Sequence, residues 1–281
     1  MIITIDDDFD LALIAESGQC FRWEKTESAA WRILSGSSCL YLKKLDEESF
    51  DFSCDEAEFE TVWLDYFDLR ENYAAIRGRI DPLQDPFLRT AADLEKGIRI
   101  LRQDPWEMLI TFIISQNRNI PAIRRSVELL AERCGEKKTD SRGRPFHAFP
   151  EAWQLVSLGE QELKDCRLGY RWKYVHAAAA AVQAGEVRLE ELRDADEERT
   201  IGELTKIFGV GLKVANCVSL FGLHHLDAFP QDVWIRRVLS EQYPGGYPFE
   251  VYSPYNGIYQ QYMFACYRNR KERSKECEGK E

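Results

Sequence analysis

The fold of this chain is decided by the stretch Leu204-Thr205-Lys206-Ile207-Phe208-Gly209-Val210-Gly211-Leu212-Lys213-Val214-Ala215-Asn216-Cys217. Its pattern predicts a helix that is broken by Gly-Val-Gly and is followed at once by a second helix of mostly small residues. We expect this helical hairpin to span about residues 197–222. Because the backbone N–H groups of the turn and the N-terminus of the second helix point outward, the hairpin suits a bound phosphate.

A reactive group lies next to this phosphate site. Lys213 falls in the first turn of the second helix, where the positive end of the helix dipole disfavours an ammonium and keeps a free amine available for attack. Asp232 follows nineteen positions later, after Pro230, as a cap for the next helix. Taken singly, Lys213 is equally explained as a solvated helix lysine and Asp232 as a simple cap. The rest of the chain favours a catalytic pair.

The composition is that of a globular protein, with 44% hydrophobic and 30% charged residues among 281. This length allows one large domain or two to three small ones. The chain has no apolar run of about eighteen residues and no basic-then-apolar N-terminus, so we expect neither a membrane span nor a signal peptide. Eight cysteines without an export signal predict reduced thiols in the cytoplasm or nucleoid, or in the nucleus of a eukaryote.

The net charge of −11 argues against nucleic-acid binding unless it is localised. Residues 1–90 contain twenty acidic and nine basic side chains, whereas residues 91–281 contain 28 of each. The acidic excess therefore belongs to the N-terminal region. The hairpin region is free to present a local basic face, although a neutral average predicts only modest, salt-sensitive non-specific affinity for DNA.

Residues 1–90 are predicted to form a small α+β lobe with an antiparallel β-sheet. Its short β-type runs are Ile2–Ile5, Cys20–Glu24, Trp31–Ser35, Cys39–Lys44 and Phe50–Cys54. Helices are expected over Glu56–Phe67 and Asn72–Arg79, and Pro82 and Pro86 mark the passage to a second region. Residues 91–270 are predicted to be mostly helical, and the Lys/Glu-rich residues 271–281 to be a disordered tail. The predicted fold class is α+β.

The helical region opens with a strong start signal at Asp104, Pro105 and Glu107. The apolar segment Met108–Ile114 is predicted to be a buried central helix, since it is too short to span a membrane. Further helices are expected over residues 151–183, interrupted near Tyr170, and a last helix ends near residue 270. The basic segment 137–144 is interpreted as a solvated surface loop.

The motifs together resemble those of the helix-hairpin-helix DNA glycosylases, and specifically the 8-oxoguanine DNA glycosylase/AP lyase family. The resemblance rests on Gly-Val-Gly-x-Lys-Val-Ala followed by Cys217, and on Pro-x-Asp ending at Asp232. It also rests on Ser-Gly-Gln-Cys-Phe-Arg-Trp at 17–23, Asn-x-Asn at 117–119 and Tyr-Arg at 170–171. It covers nearly the whole chain, from about Leu11 to Phe264.

The resemblance implies two catalytic residues, Lys213 and Asp232, and a lesion-binding set. In the family, the carbonyl of the glycine matching Gly18 accepts the N7–H that only oxidised guanine carries. The equivalents of Cys217 and Phe264 cover the two faces of the extruded base, and the equivalent of Gln260 reads its Watson–Crick edge. Gln260 and Phe264 are four residues apart and therefore share one helix face.

The resemblance also implies DNA contacts. Asn117 and Asn119 would enter the gap left by the flipped base, while Tyr170 is wedged into the base stack and Arg171 bonds the orphaned partner base. The hairpin residues implied to contact the DNA backbone are Gly209, Gly211 and Val214. Main-chain carbonyls at Thr205, Ile207 and Val210 could bind a metal ion, as the hairpin does in relatives.

We therefore expect a monomeric bifunctional glycosylase/AP lyase that excises 8-oxoguanine from double-stranded DNA and associates with no membrane. No cofactor is expected, and no iron–sulfur cluster, because only Cys266 and Cys277 follow Asp232. Two alternatives remain open. One is a non-catalytic helix-hairpin-helix DNA-binding protein, and the other is a sister glycosylase with a different damaged-base preference.

Overall fold

The computed structural model describes the backbone of residues 1–278 and the side chains of residues 1–269. The N-terminal part contains a five-stranded antiparallel sheet with strand order β1-β5-β4-β3-β2. The strands are β1 (Ile2–Thr4), β2 (Trp23–Lys25), β3 (Trp31–Ser35), β4 (Ser38–Lys44) and β5 (Ser49–Phe52). Five strands were predicted, and all five are present, with bounds that shift by up to three residues.

The helices form the rest of the lobe and nearly all of the second region. They are α1 (Leu11–Glu16), α2 (Glu56–Glu58), α3 (Leu64–Tyr66), α4 (Tyr73–Gly78), α5 (Pro86–Leu94), α6 (Pro105–Ser115), α7 (Ile120–Cys134), α8 (Ala152–Val156), α9 (Glu160–Asp165), α10 (Trp172–Gln183), α11 (Glu197–Thr205), α12 (Leu212–Phe221), α13 (Val233–Gln242), α14 (Phe249–Tyr252) and α15 (Asn256–Glu278). A π-helical turn (Phe59–Trp63) joins α2 to α3, and 3₁₀ turns lie at Gly169–Arg171 and Leu189–Leu192. The predicted α+β fold class is confirmed.

Two hydrophobic clusters organise the packing. The first lies between the sheet and helices α1 to α3 and gathers buried side chains from Ile5 to Phe67 together with Leu101. The second begins with Phe21 and Tyr73 and takes in the helical region as far as Cys266. The clusters interleave in sequence, because Phe21 belongs to the second and Leu101 to the first, and the domain boundary at residue 90 stays a prediction.

Helix α6 is the centre of the second cluster. Asp104 caps it through a hydrogen bond from the Glu107 N–H (2.7 Å), and every residue from Glu107 to Ile114 is buried. A helix that is apolar on all sides has to be surrounded by protein. Helices α7, α10 and α12 pack against it, and the prediction of a buried central helix is confirmed.

The basic segment 137–144 is mostly exposed, as we expected, but it is not an irregular loop throughout. It forms a second, two-stranded sheet from β6 (Lys137–Thr139) and β7 (Pro145–His147). The turn holds the buried Asp140, whose Oδ2 accepts hydrogen bonds from Arg32 Nε (2.9 Å) and Tyr41 Oη (2.8 Å). Burial alone would raise the pKa of Asp140, but the hydrogen bonds from Tyr41 and the backbone outweigh it and lower the pKa to about 2. The β6–β7 hairpin therefore connects the N-terminal sheet to the helical region.

The last helix is longer than expected. We predicted that it ends near residue 270 and that a disordered tail occupies residues 271–281. Helix α15 instead continues to Glu278, and residues 279–281 lie outside the described residues. Among residues 1–278, no helix has the length and apolar character needed to cross a membrane.

Candidate active site

The structure brings the predicted catalytic and lesion-binding residues around one cavity of about 60 Å³. The cavity lies between α6, α12, α15 and the loop that follows α1. All six residues predicted for catalysis and lesion binding line it, namely Gly18, Lys213, Cys217, Asp232, Gln260 and Phe264. Segments almost 250 residues apart in sequence therefore meet at one point.

Lys213 enters the cavity from the first turn of α12. Its side chain is half-buried, and its Nζ lies 5.3 Å from the centre of the Phe112 ring, within range of a cation–π contact. Phe112 is a buried side chain of α6. The central helix thus supplies an apolar wall that keeps the amine of Lys213 partly away from water.

Asp232 is the N-cap of α13, as predicted. Its Oδ1 accepts hydrogen bonds from the backbone N–H groups of Trp234 and Ile235, both at 2.9 Å. Because both bonds are accepted by one oxygen, the carboxylate is held in a fixed orientation, and the residue also lines the cavity. The two roles considered for Asp232, cap and pocket residue, are therefore compatible.

Cys217 lies one helical turn after Lys213 and is buried. Burial raises the pKa of its thiol, against the lowering effect of the charge of Lys213 and a hydrogen bond with it. The group that faces the cavity is therefore a neutral thiol. A neutral thiol offers a small, polarisable surface and does not compete with Lys213 as a nucleophile.

The side-chain amide of Gln260, on α15, is held by two hydrogen bonds. Its Nε2 donates to the Pro230 carbonyl (3.1 Å), and its Oε1 accepts from Gln261 Nε2 (2.9 Å). Both glutamines are buried and line the cavity. Sequence analysis did not identify Gln261, Pro230 or Phe112 as cavity residues. For Gln261, the doubled glutamine next to a predicted pocket residue was an available signal.

Gly18 is positioned by the motif around it. Its backbone has φ +82°, a conformation that favours glycine. The buried Gln19 side chain donates to the Arg99 carbonyl (2.9 Å) and accepts from the Leu101 N–H (2.8 Å). Arg22 Nε donates to Glu128 Oε1 of α7 (2.7 Å). The polar residues of the Ser-Gly-Gln-Cys-Phe-Arg-Trp motif thus fix Gly18 against the helical region.

The predicted DNA-contacting residues form a second group, outside the cavity. Asn117 has φ +52°, and Asn119 caps α7 by accepting the Ala122 N–H (3.0 Å). The Tyr170 ring is 54% exposed and lies over the guanidinium of Arg171, whose Cζ is 4.4 Å from the ring centre. Arg171 itself is buried, and its Nε donates to the Gln116 carbonyl (2.8 Å). In this arrangement Arg171 supports the Asn117 loop and Tyr170 from beneath.

The glycine turn of the hairpin is packed on one side and open on the other. A Cβ on Gly209 would lie 2.2 Å from Tyr174 Cγ, whereas a Cβ on Gly211 would meet nothing within 4 Å. Val214 is buried, so only its backbone N–H, one of the unpaired donors of the first helical turn, is available to a phosphate.

The main-chain carbonyls predicted to bind an ion lie at the turn of the helical hairpin. The Val210 N–H donates to the Ile207 carbonyl (3.0 Å), which tightens the loop in which the predicted main-chain ligands Thr205, Ile207 and Val210 lie. Within the described residues, no cluster of three or more His, Cys, Asp or Glu side chains is arranged to hold a metal ion. A main-chain site does not depend on such a cluster and stays a prediction.

A helical hairpin with a lysine in its second helix, and an aspartate cap that lines the same cavity, fits the helix-hairpin-helix class of DNA glycosylases. Comparison with known proteins agrees and narrows the class. Residues 1–109 match the family model of the 8-oxoguanine DNA glycosylase N-terminal domain, and residues 110–245 match that of the HhH-GPD superfamily of base excision DNA repair proteins. The chain belongs to the 8-oxoguanine DNA glycosylase family, as its sequence motifs predicted.

Individual relatives support this assignment. The chain is 32% identical to the N-glycosylase/DNA lyase OGG1 of Arabidopsis thaliana and to the N-glycosylase/DNA lyase of Saccharomyces cerevisiae, in both cases over 83% of its own length. It spans 66% and 68% of their lengths, about two thirds. Among solved structures it is similar to MBOgg1 in complex with a low-affinity DNA ligand, with 34% identity, 96% of both chains covered and a TM-score of 0.90.

A second solved structure is that of the Clostridium acetobutylicum 8-oxoguanine glycosylase/lyase in complex with double-stranded DNA containing cytosine opposite 8-oxoguanine. It is 32% identical, and the match covers 96% of this chain and 98% of that one with a TM-score of 0.86. These levels of similarity extend over both the sheet lobe and the helical region. The enzyme assignment is therefore not carried by the hairpin alone.

Proposed function

We propose that this protein removes 8-oxoguanine from duplex DNA and cleaves the resulting abasic site, with Lys213 as the nucleophile. The observation that carries the proposal is the shared cavity, in which Lys213 and Asp232 lie beside the four residues predicted to bind the base. A non-catalytic DNA-binding hairpin has no need for this combination. The supporting comparisons are relatives named N-glycosylase/DNA lyase.

The first step is base excision. The damaged nucleotide is extruded from the duplex into the cavity, and the amine of Lys213 forms a bond to C1′ of the sugar as it gives up a proton. The N-glycosidic bond breaks, its electron pair leaves with the base, and the base takes up a proton. The carboxylate of Asp232 stabilises the positive charge that develops on the sugar and assists proton movement.

The second step is strand cleavage. Opening of the sugar ring converts the amine adduct to a Schiff base between Lys213 and C1′. Loss of a proton from C2′ then expels the 3′ phosphate by β-elimination, and hydrolysis of the Schiff base releases the enzyme. The hairpin glycines Gly209 and Gly211 are proposed to hold a phosphate of the same strand through backbone N–H groups during both steps.

Borohydride trapping tests this proposal. Incubation of the protein with an 8-oxoguanine duplex and borohydride should give a covalent protein–DNA adduct, and plain guanine should give none. Lys213→Gln should retain lesion binding but lose both trapping and excision. Lys206→Gln is a matched control, because Lys206 belongs to the same hairpin but is exposed and paired with Glu203 (2.6 Å). Trapping that survives in Lys213→Gln would place the nucleophile elsewhere.

A further inference from the structure

The lesion-binding face of α15 continues beyond the two residues predicted from sequence. Gln260 and Phe264 are four residues apart, and the same spacing leads to Arg268. The Arg268 guanidinium lies against the Phe264 ring, with Cζ 5.5 Å from the ring centre. A Cβ placed on Gly18 would lie 3.4 Å from Phe264 Cε1 and 3.9 Å from Arg268 Nη1. Gly18, Phe264 and Arg268 therefore lie next to one another.

In the part of the chain that the structure describes, most N–H donors of the Arg268 guanidinium have no acceptor. Its Nε and Nη1 are buried and have no hydrogen-bond partner among the described residues. Its Nη2 donates one long hydrogen bond, to Asn269 Oδ1 at 3.4 Å. Leaving a buried charged donor unpaired is costly, and such a group in a native structure calls for a functional explanation.

The cavity has to open before a base can enter, and this opening reaches Arg268. Its volume of about 60 Å³ is far below the ~300–1,000 Å³ typical of small-molecule sites. The Phe264 ring lies against both Gly18 and the Arg268 guanidinium and is only half-buried. Rotation of this ring onto the face of an incoming base would create room and would uncover the Arg268 donors beside Gly18.

The chemistry of 8-oxoguanine supplies what these donors lack. Oxidation at C8 places an N7–H donor directly beside a C8 carbonyl acceptor. Gly18 is predicted to accept from the N7–H, so a donor adjacent to Gly18 would complete a two-point contact with this edge. A guanidinium presents several fixed N–H groups and no acceptor, and it is therefore suited to a carbonyl oxygen.

We propose that Arg268 is a lesion-recognition residue that donates a hydrogen bond to O8 of the extruded base once Phe264 has moved. This inference rests on the proposed function, because it assumes that 8-oxoguanine is the base bound. It assigns to this chain a polar contact with the oxygen atom that distinguishes the lesion from guanine. The Watson–Crick edge of the base is left to Gln260, as the family resemblance implies.

The test compares two reactions of one variant. Single-turnover excision of 8-oxoguanine requires recognition of the base, whereas cleavage of a preformed abasic site does not. Arg268→Met removes the donors and keeps an unbranched side chain of similar reach. We expect the ratio of excision to abasic-site cleavage to fall about ten- to a hundredfold, as for the loss of one hydrogen bond to a charged group. Arg268→Lys, which keeps a charged donor, should recover part of this loss.

The outcomes separate this inference from the proposed function. Arg188→Met is the control, since Arg188 is an exposed residue paired with Glu191 (2.9 Å), and its ratio should equal that of the wild type. An unchanged ratio in Arg268→Met, with a wild type that excises 8-oxoguanine, would overturn the recognition role. An equal loss of both reactions would also overturn it, because the residue would then act through folding or DNA binding. A wild type without excision would refute the proposed function itself.

Discussion

Replacing Gly209 by alanine should damage the hairpin through two separable effects. The backbone of Gly209 has φ +88°, and forcing an L-residue into the left-handed region costs about 1–2 kcal/mol. The new Cβ would lie 2.2 Å from Tyr174 Cγ and 2.7 Å from Tyr174 Cβ. Relieving an overpacked contact of this kind typically costs about 1–3 kcal/mol. The expected loss of unfolding free energy is therefore about 2–5 kcal/mol.

Urea unfolding of a paired set of variants measures this loss. Gly211→Ala is the matched control, because its Cβ would meet nothing and its backbone φ is −99°. It should keep wild-type stability while weakening DNA binding, since the added methyl group stands where a phosphate is expected. Gly209→Ala combined with Tyr174→Ala should be less destabilised than the sum of the two single variants, because removal of the ring relieves the overlap. Wild-type stability of Gly209→Ala would refute this reasoning.

Three further expectations concern the site and its surroundings. Asp232→Asn should slow base removal by orders of magnitude with little change in stability, because asparagine also caps helices; unchanged excision would reduce Asp232 to a cap. Glu107 is buried, which raises its pKa to about 7 despite the opposing charge of Arg22. Because the pKa is raised in the folded state, the free energy of unfolding falls as the pH rises from about 4.5 to 7. Glu107→Gln should flatten this dependence and add up to about 3 kcal/mol to the free energy of unfolding above pH 7. Urea unfolding at pH 5 and 8 measures the difference. Selectivity for the opposite base should be relaxed, because the family resemblance implies an arginine at the position that Ala122 occupies here, and Arg118 is engaged with Ser126 Oγ (2.8 Å). Single-turnover excision opposite the other bases should be less than about a hundredfold slower than opposite cytosine, and strict cytosine dependence would contradict this.

The cavity could be predicted from sequence because its residues sit at fixed positions in local motifs. Lys213 and Cys217 are one turn apart on one helix, so their proximity follows from local sequence alone, whereas Asp232 was placed beside them through the Pro-x-Asp motif of the family that the chain resembles. Gln260 and Phe264 share a face for the same reason. The motif resemblance then placed Gly18 opposite them, and the structure brings all six residues to one cavity.

The features that sequence analysis missed depend on distant partners. Lys137–Thr139 looks like a basic loop until Asp140 is seen to bind Arg32 and Tyr41, about a hundred positions earlier. Phe112 lies in a helix that is apolar on every side, so no periodicity marks the one ring that faces Lys213. Helix α1 is only six residues long and carries too little pattern to be recognised.

The division of the chain between two family models has a consequence for evolution by domain exchange. The models meet between residues 109 and 110, inside the buried helix α6. Gln19 is hydrogen-bonded to Arg99 and Leu101 before that point, whereas Arg22 pairs with Glu128 beyond it. Lys213, the proposed nucleophile, and Gly18, which lines the same cavity, likewise come from opposite sides of the junction. In a chimera of two relatives joined there, the two segments would have to be compatible in the packing of α6, in the Arg22–Glu128 ion pair and in the lining of the cavity. The two segments are therefore expected to be inherited as a unit.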